Sequence, residues 1–125
     1  MSEAALKFIS DLMESLGIPY AFIEWQDEQL PDYYFVGEYM DNPSPTREES
    51  GLQESTFFLR GFTRKSWLLL EQAKAKIEKN VGITAILDDG SGIAVFCAPA
   101  QPVPTGDHEL KSIKINLDIQ ERKVN

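Results

Sequence analysis

The side chains that could support nucleophilic chemistry are few in this sequence. His108 is its only histidine and Cys97 its only cysteine. A serine or cysteine nucleophile normally needs a histidine as its base, yet His108 lies in a Gly-Asp-His-Glu turn, where a solvated side chain is expected. Cys97 follows Phe96 in a predicted strand, which favours a buried thiol that packs as a small apolar group. The pattern predicts no nucleophilic site.

Carboxylates are plentiful, but their spacing matches no metal-binding motif. Several of them could suggest a site for a hard cation, namely Asp27, Glu28, Asp32, Asp88 and Asp89. The calcium loop with its distal glutamate is absent, and so are cysteine–histidine zinc spacings and a glycine-rich phosphate loop. A pair of glycosidase carboxylates stays open, because any two could meet in space. We therefore expect no catalytic residue, no metal and no cofactor, and we do not expect an enzyme.

Arg60, Arg64 and Lys65 form the one local excess of positive charge beside aromatic residues. A nucleic-acid patch is a weak interpretation, because phosphate contacts need many cations and the chain carries a net charge of −8. Positive charge at a helix start opposes the helix dipole, which hints at a partner carboxylate. We assign Arg60 and Lys65 to a protein interface and expect no recognition of nucleic-acid sequence.

The composition fits one soluble globular domain spanning residues 1–125. The chain is 42% hydrophobic and 26% charged, as ordinary globular proteins are. No apolar run approaches the roughly 20 residues that cross a bilayer, and the first residues lack a signal-peptide pattern. A single cysteine cannot form an intramolecular disulfide, which fits assembly in a reducing cytoplasm.

The charge is distributed unevenly along the chain. Residues 1–54 contain twelve acidic and two basic residues, a net charge of −10, whereas the remainder has a net charge of +2. Such asymmetry is either a solvated acidic face or a means for one copy's acidic edge to meet another copy's basic edge.

Two segments are predicted to be amphipathic helices. The first begins after a cap at Ser2, ends before Gly17, and carries the apolar stripe Ala5, Phe8, Ile9, Leu12 and Leu16. The second is predicted over 64–80, with Thr63 or Ser66 as its cap and with the stripe Trp67, Leu70, Ala73 and Ile77.

Six strands are predicted, over 20–25, 33–41, 54–62, 83–87, 93–98 and 110–121. The last has the clearest alternation, because its apolar residues occupy every second position and polar ones lie between them. The order α-β-β-β-α-β-β-β predicts an α+β fold, with an antiparallel or mixed sheet of five to six strands and both helices on one face.

Two proline-bearing loops are the predicted contact regions. Proline removes a backbone donor and excludes regular structure, and long surface loops are often functional. The first loop, 42–51, contributes Pro43, Pro45 and Arg47, and the second, 99–107, contributes Pro102 and Pro104.

Three stretches resemble the tail-terminator (tail-completion or minor tail) proteins of long-tailed bacteriophages and prophages. They are Asp32-Tyr-Tyr-Phe-Val-Gly-Glu-Tyr-Met-Asp-Asn-Pro43, Thr56-Phe-Phe-Leu-Arg-Gly-Phe-Thr63 and the helix from Ser66 to Ile77. The order of elements matches over nearly the whole chain. The strong negative charge of residues 1–54 has no counterpart in the family pattern.

The resemblance implies a non-enzymatic virion protein that forms a ring, commonly hexameric, on the head-proximal end of the tail tube. Implied partners are further copies of itself, the tail-tube protein and the head–tail connector, with assembly in the bacterial cytoplasm. Three alternatives stay open. One is another head–tail joining protein of the neck, and the second is a small acidic cytoplasmic adaptor or immunity-type protein that masks a basic partner. The third is an enzyme of unrecognised type.

Overall fold

The structure, a computed structural model, describes residues 1–42 and 51–123. Its elements in chain order are α1 (Glu3–Ser15), β1 (Tyr20–Phe22), β2 (Tyr33–Asn42), β3 (Leu52–Thr63), α2 (Trp67–Asn80), β4 (Ile83–Ile86), β5 (Gly92–Cys97), β6 (Gln101–Val103) and β7 (Lys111–Arg122). None of the described helices has the length and apolar character needed to span a membrane.

One sheet contains all the described strands, in the order β1-β2-β3-β7-β5-β4, with the short β6 also paired to β7. β1 is parallel to β2, and every other pair is antiparallel. The predicted α+β class and element order are confirmed, and the sheet is mixed. The loop predicted at 99–107 contains an additional strand, so Pro102 lies in β6, where a proline is tolerated because the strand is at an edge.

The helices cover one face of the sheet. Along β3 and β7, alternate side chains such as Phe57, Leu59, Ile115 and Leu117 are buried, as period-two alternation requires. The helices add their own buried residues to the same core, Ala5, Ile9 and Met13 from α1 and Leu70, Ala73 and Ile77 from α2. We call the opposite surface of the sheet the open face.

The second helix begins later than the sequence predicts. The Ser66 hydroxyl accepts a hydrogen bond from the Leu68 N–H at 3.2 Å, so Ser66 is the cap. Thr63 stays in β3, where its hydroxyl donates to the Asp32 carbonyl at 2.7 Å. Arg64 and Lys65 therefore precede the helix and do not form its first turn.

The first strand ends three residues earlier than predicted. Ile23 has a φ of 73°, which a β-branched residue rarely adopts, and its N–H donates to the Gly37 carbonyl at 2.7 Å. The chain leaves the sheet there, and the indole of Trp25 packs on the Tyr34 ring with 5.1 Å between the ring centroids.

Candidate interaction surfaces

The two residues considered for nucleophilic chemistry lie apart on the surface. His108 is exposed in the segment between β6 and β7. Cys97 is also exposed, so the predicted burial is wrong. Val95, two residues earlier on the same side of β5, is fully buried, so the helical cover ends between these two positions. Partial desolvation and the charge of Glu78 raise the pKa of the Cys97 thiol, which disfavours the nucleophilic thiolate.

Acidic and histidine side chains do not converge either. Within 1–42 and 51–123, no three of the histidine, cysteine and acidic residues are placed to hold a metal ion. The Asp89 carboxylate forms hydrogen bonds within its own turn, because it accepts from the Ser91 N–H at 2.9 Å and from the Ser91 hydroxyl at 2.6 Å. These bonds lower the pKa of Asp89 and close the β4–β5 turn that the Asp-Asp-Gly sequence predicts.

The open face carries cations that are already engaged within the chain. The Arg60 guanidinium lies 2.6 Å from the Glu38 carboxylate. The Lys114 ammonium lies over the Phe58 ring, 4.3 Å from its centroid. The Arg60 side chain is about half exposed, at 51%, so its ion pair is well solvated and exchangeable. The pairing of Arg60 with a neighbouring copy stays a prediction, and Glu38 competes for it.

The start of α2 and the loop after β6 are tied together. Arg64 forms an ion pair with Asp107 at 3.1 Å, and the Lys111 ammonium donates to the Lys65 carbonyl at 2.9 Å. A groove of about 240 Å³ lies beside them, with Leu30 and Leu110 in its wall. Lys65 is exposed, and its ammonium forms no ion pair with any described carboxylate.

Four of the seven predicted contact residues gather around the first half of β7. In the sheet register, Arg60 is opposite Lys114 and Pro102 is opposite Ile113, while Pro104 directly follows β6 and Lys65 is held by Lys111. We call this region the β7 corner. The other three, Pro43, Pro45 and Arg47, lie outside the described residues.

A partly buried polar cluster fixes α1 against the sheet, and it is not among the features predicted from the sequence. The Met1 ammonium lies 2.5 Å from the Asp41 carboxylate, which also accepts from the Ser55 hydroxyl at 2.7 Å. Glu121 is 1% exposed and accepts from the Ser2 N–H at 3.2 Å and from the Ser2 hydroxyl. Partial desolvation alone would raise the pKa of Asp41, but these hydrogen bonds and the ammonium charge lower it.

The sheet ends in a short apolar strand. β4 reads Ile-Thr-Ala-Ile, and its two isoleucines are substantially exposed, Ile83 at 38% and Ile86 at 77%. A groove of about 390 Å³ opens beside Ile86, with Ala94 and Arg122 in its wall. The sequence predicts the strand but not its exposure, because its apolar run equally suits a central strand.

No protein-family model and no curated protein matches this sequence. Solved structures do share its fold. One, which carries no functional description, is 16% identical with a TM-score of 0.68, and the match covers 98% of this chain and 93% of that chain. Another is a chain of the virion of a native gene transfer agent particle, 12% identical with a TM-score of 0.67, covering 96% of this chain and 92% of that chain. At these identities the matches show a shared fold over nearly the full length of each chain.

Proposed function

We propose that this protein is a structural component of a phage-type virion, where it forms a ring at the head-proximal end of the tail tube. The observation that carries the proposal is the nearly full-length fold match to a chain of a gene transfer agent virion. The stretches 32–43 and 56–63, which resemble tail-terminator proteins, favour the terminator position over other positions in such a particle. In this role the protein binds further copies of itself, the tail tube below and the head–tail connector above, with no cofactor.

A closed ring of identical copies needs two different surfaces on each copy that fit one another. One candidate is the acidic segment 24–32, whose side chains include four carboxylates and no cation, Glu24, Asp27, Glu28 and Asp32. The other candidate is the β7 corner with its exposed Lys65. Opposite charges on the two surfaces would steer one copy onto the next and fix their relative orientation.

Lys65 tests the role of the β7 corner more directly than Arg60 does. Its ammonium is free of ion pairs with described residues, whereas Arg60 must first leave Glu38. We expect Lys65→Glu to reduce ring formation without changing thermal stability. Lys76→Glu is the matched control, because Lys76 is an exposed lysine of α2 and the charge change is the same. Equal loss of rings in both variants would contradict the assignment of the β7 corner.

The proposal is tested first by gene order and then by assembly. Genes for a major tail protein and a head–tail connector should flank the coding sequence. The purified protein, mixed with that tail protein during tube growth, should yield tubes of limited length with a ring on one end in negative-stain electron micrographs. Tubes of unlimited length without end rings would refute the terminator role. A ring that binds the connector but leaves tube length unchanged would indicate another neck protein.

The charge of −10 over residues 1–54 favours one alternative from a different class, an acidic adaptor that covers a basic partner. Sedimentation velocity separates the two. An adaptor should form no ring when tail-tube protein is added, whereas the virion protein should assemble into rings when the tube is present.

A further inference from the structure

β4 is a short edge strand of four residues, and it lacks two of the features that keep sheet edges from pairing, charged residues and prolines. Natural edge strands carry charges, prolines or bulges that block a second strand. β4 contains none of these residues, and no other strand in the described part of the chain pairs with its outer side. Its exposed isoleucines lie on opposite faces of the sheet, Ile83 on the helix-covered face and Ile86 on the open face. Each face of the edge therefore offers an apolar side chain beside the unpaired backbone groups. The edge is therefore open to another strand.

Charges of opposite sign lie at the two ends of this strand. Lys79 is in the last turn of α2, four residues before β4 begins. Asp88 follows the strand by two residues and is highly exposed, at 79%. When two copies of one strand pair in antiparallel orientation, the start of each lies beside the end of the other. With Ala85 of β4 opposite its own copy, Asp88 would lie opposite Gly82 of the partner subunit, three residues after Lys79. The two opposite charges would therefore lie near each other at both ends of the contact.

We infer that the free protein pairs with a second copy through the β4 edges, antiparallel and about a two-fold axis perpendicular to the sheet. Such an axis keeps the helices of both copies on the same side, so paired residues must come from the same face. With Ala85 opposite its own copy, Ile86 lies against Thr84 of the partner subunit on the open face. The groove beside Ile86 adjoins this contact, so the apolar surface continues across the pair.

The contact is small. Four residues from each strand fall well below the roughly 800 Å² per partner of a standard interface, so a weak, concentration-dependent dimer is expected. A two-fold contact also differs from the heterologous contacts of a ring. The inference is therefore independent of the proposed virion role, and the pairing belongs to the protein before assembly.

Sedimentation velocity of the purified protein, from about 10 μM to about 1 mM, tests the pairing. The sedimentation coefficient should rise from monomer to dimer across this range. Ile86→Lys should weaken the dimer by at least roughly tenfold, because a lysine on an edge opposes pairing. Leu68→Lys is the matched control, since Leu68 is similarly exposed, at 64%, but lies at the far end of α2, and it should dimerise as the parent does.

A charge exchange tests the orientation. Lys79→Glu should weaken the dimer, because two acidic side chains then meet at each end of the contact. Lys79→Glu combined with Asp88→Lys should restore the dimer, because position 79 is then acidic and position 88 is basic. Asp88 also forms an ion pair with Lys7 of its own chain at 3.2 Å, and Asp88→Lys removes that pair. Lys7 keeps its second ion pair, with Asp11 at 3.0 Å. A monomer throughout the concentration range would overturn the inference. So would a dimer that tolerates Ile86→Lys, or a double exchange that fails to restore pairing while circular dichroism shows the native fold.

Discussion

Gly61 lies at a position in the core where even the methyl side chain of alanine should destabilise the fold. It lies in β3 between Phe35 of β2 and Ile113 of β7 in the sheet register. A Cβ at this position would lie 2.6 Å from two atoms of the Phe35 ring and 3.0 Å from a methyl group of Ile113. Both neighbours are essentially fully buried. Gly61→Ala therefore forces a shift in a closely packed core.

Two opposing effects set the magnitude. Overpacking a well-packed core costs about 1–3 kcal/mol, whereas replacing glycine by alanine within a strand gains about 0.5–1 kcal/mol of backbone entropy. The clash is the larger effect, so the free energy of unfolding should fall by about 1–2 kcal/mol. For a chain of this length, that loss corresponds to a Tm lower by about 4–8 °C.

Urea unfolding followed by circular dichroism measures the change, with Gly92→Ala as control. A Cβ on Gly92 would meet no atom within 4 Å, so this variant should be neutral or slightly stabilised. Phe35→Leu removes part of the ring that causes the clash. Combined with Gly61→Ala, it should destabilise by less than the sum of the two single changes, by about 0.5–3 kcal/mol. If Gly61→Ala unfolds at the parent's urea midpoint, the steric reasoning is refuted.

Three further predictions concern stability. Ser66→Ala removes the hydroxyl that accepts a hydrogen bond from the Leu68 N–H and should lower the free energy of unfolding by about 1 kcal/mol. Urea titration measures the loss, and Ser10→Ala is the control because Ser10 is an exposed serine within α1. The pKa of Asp41 is lowered in the folded protein. The stability that ionised Asp41 contributes is therefore fully present above the ordinary pKa of aspartate and is lost as pH falls through the lower folded pKa. Asp41→Asn should make the free energy of unfolding fall less steeply below about pH 4, and an unchanged pH profile would contradict this. Arg60→Ala breaks only a solvated ion pair and should cost less than about 1 kcal/mol, so a larger loss in thermal scans would mean that Arg60 has a structural role.

The helices and long strands could be predicted because their patterns are local. The alternation of Ile113, Ile115, Leu117 and Ile119 locates β7 and its buried face, and the stripe of α1 locates that helix to within a residue at each end. The same alternation continues to Glu121, which places this carboxylate in the core. The signal for a buried acidic residue was therefore present, and its partner Ser2 depends on where α1 begins relative to the sheet.

The features that the sequence did not predict depend on the tertiary structure, above all on how far the sheet extends beyond the helices that cover it. Cys97 and Ile86 lie in apolar runs that equally suit a buried strand, yet both are exposed, because one lies past the cover and the other lies on the open face of an edge strand. The pair formed by Arg60 and Glu38 needs the register of β2 against β3, which depends on the whole hairpin. No local spacing contains that information.

The internal ion pairs change which surfaces are suited to assembly. From the sequence, Arg60 is expected to pair with a carboxylate of a partner, but in the structure it forms an ion pair with Glu38. The Lys114 ammonium likewise forms a cation–π contact with the Phe58 ring. A neighbour that displaced these contacts would gain little, since it would replace one exposed ion pair by another. Groups without an internal partner offer the larger gain, because their new contacts replace only water. Among the described residues, the Lys65 ammonium at the β7 corner has no ion-pair partner, and no strand of the described part pairs with the outer edge of β4. Under the proposed function, the contacts between copies are therefore expected at the rim of the sheet, while the charged middle of the open face stays solvated.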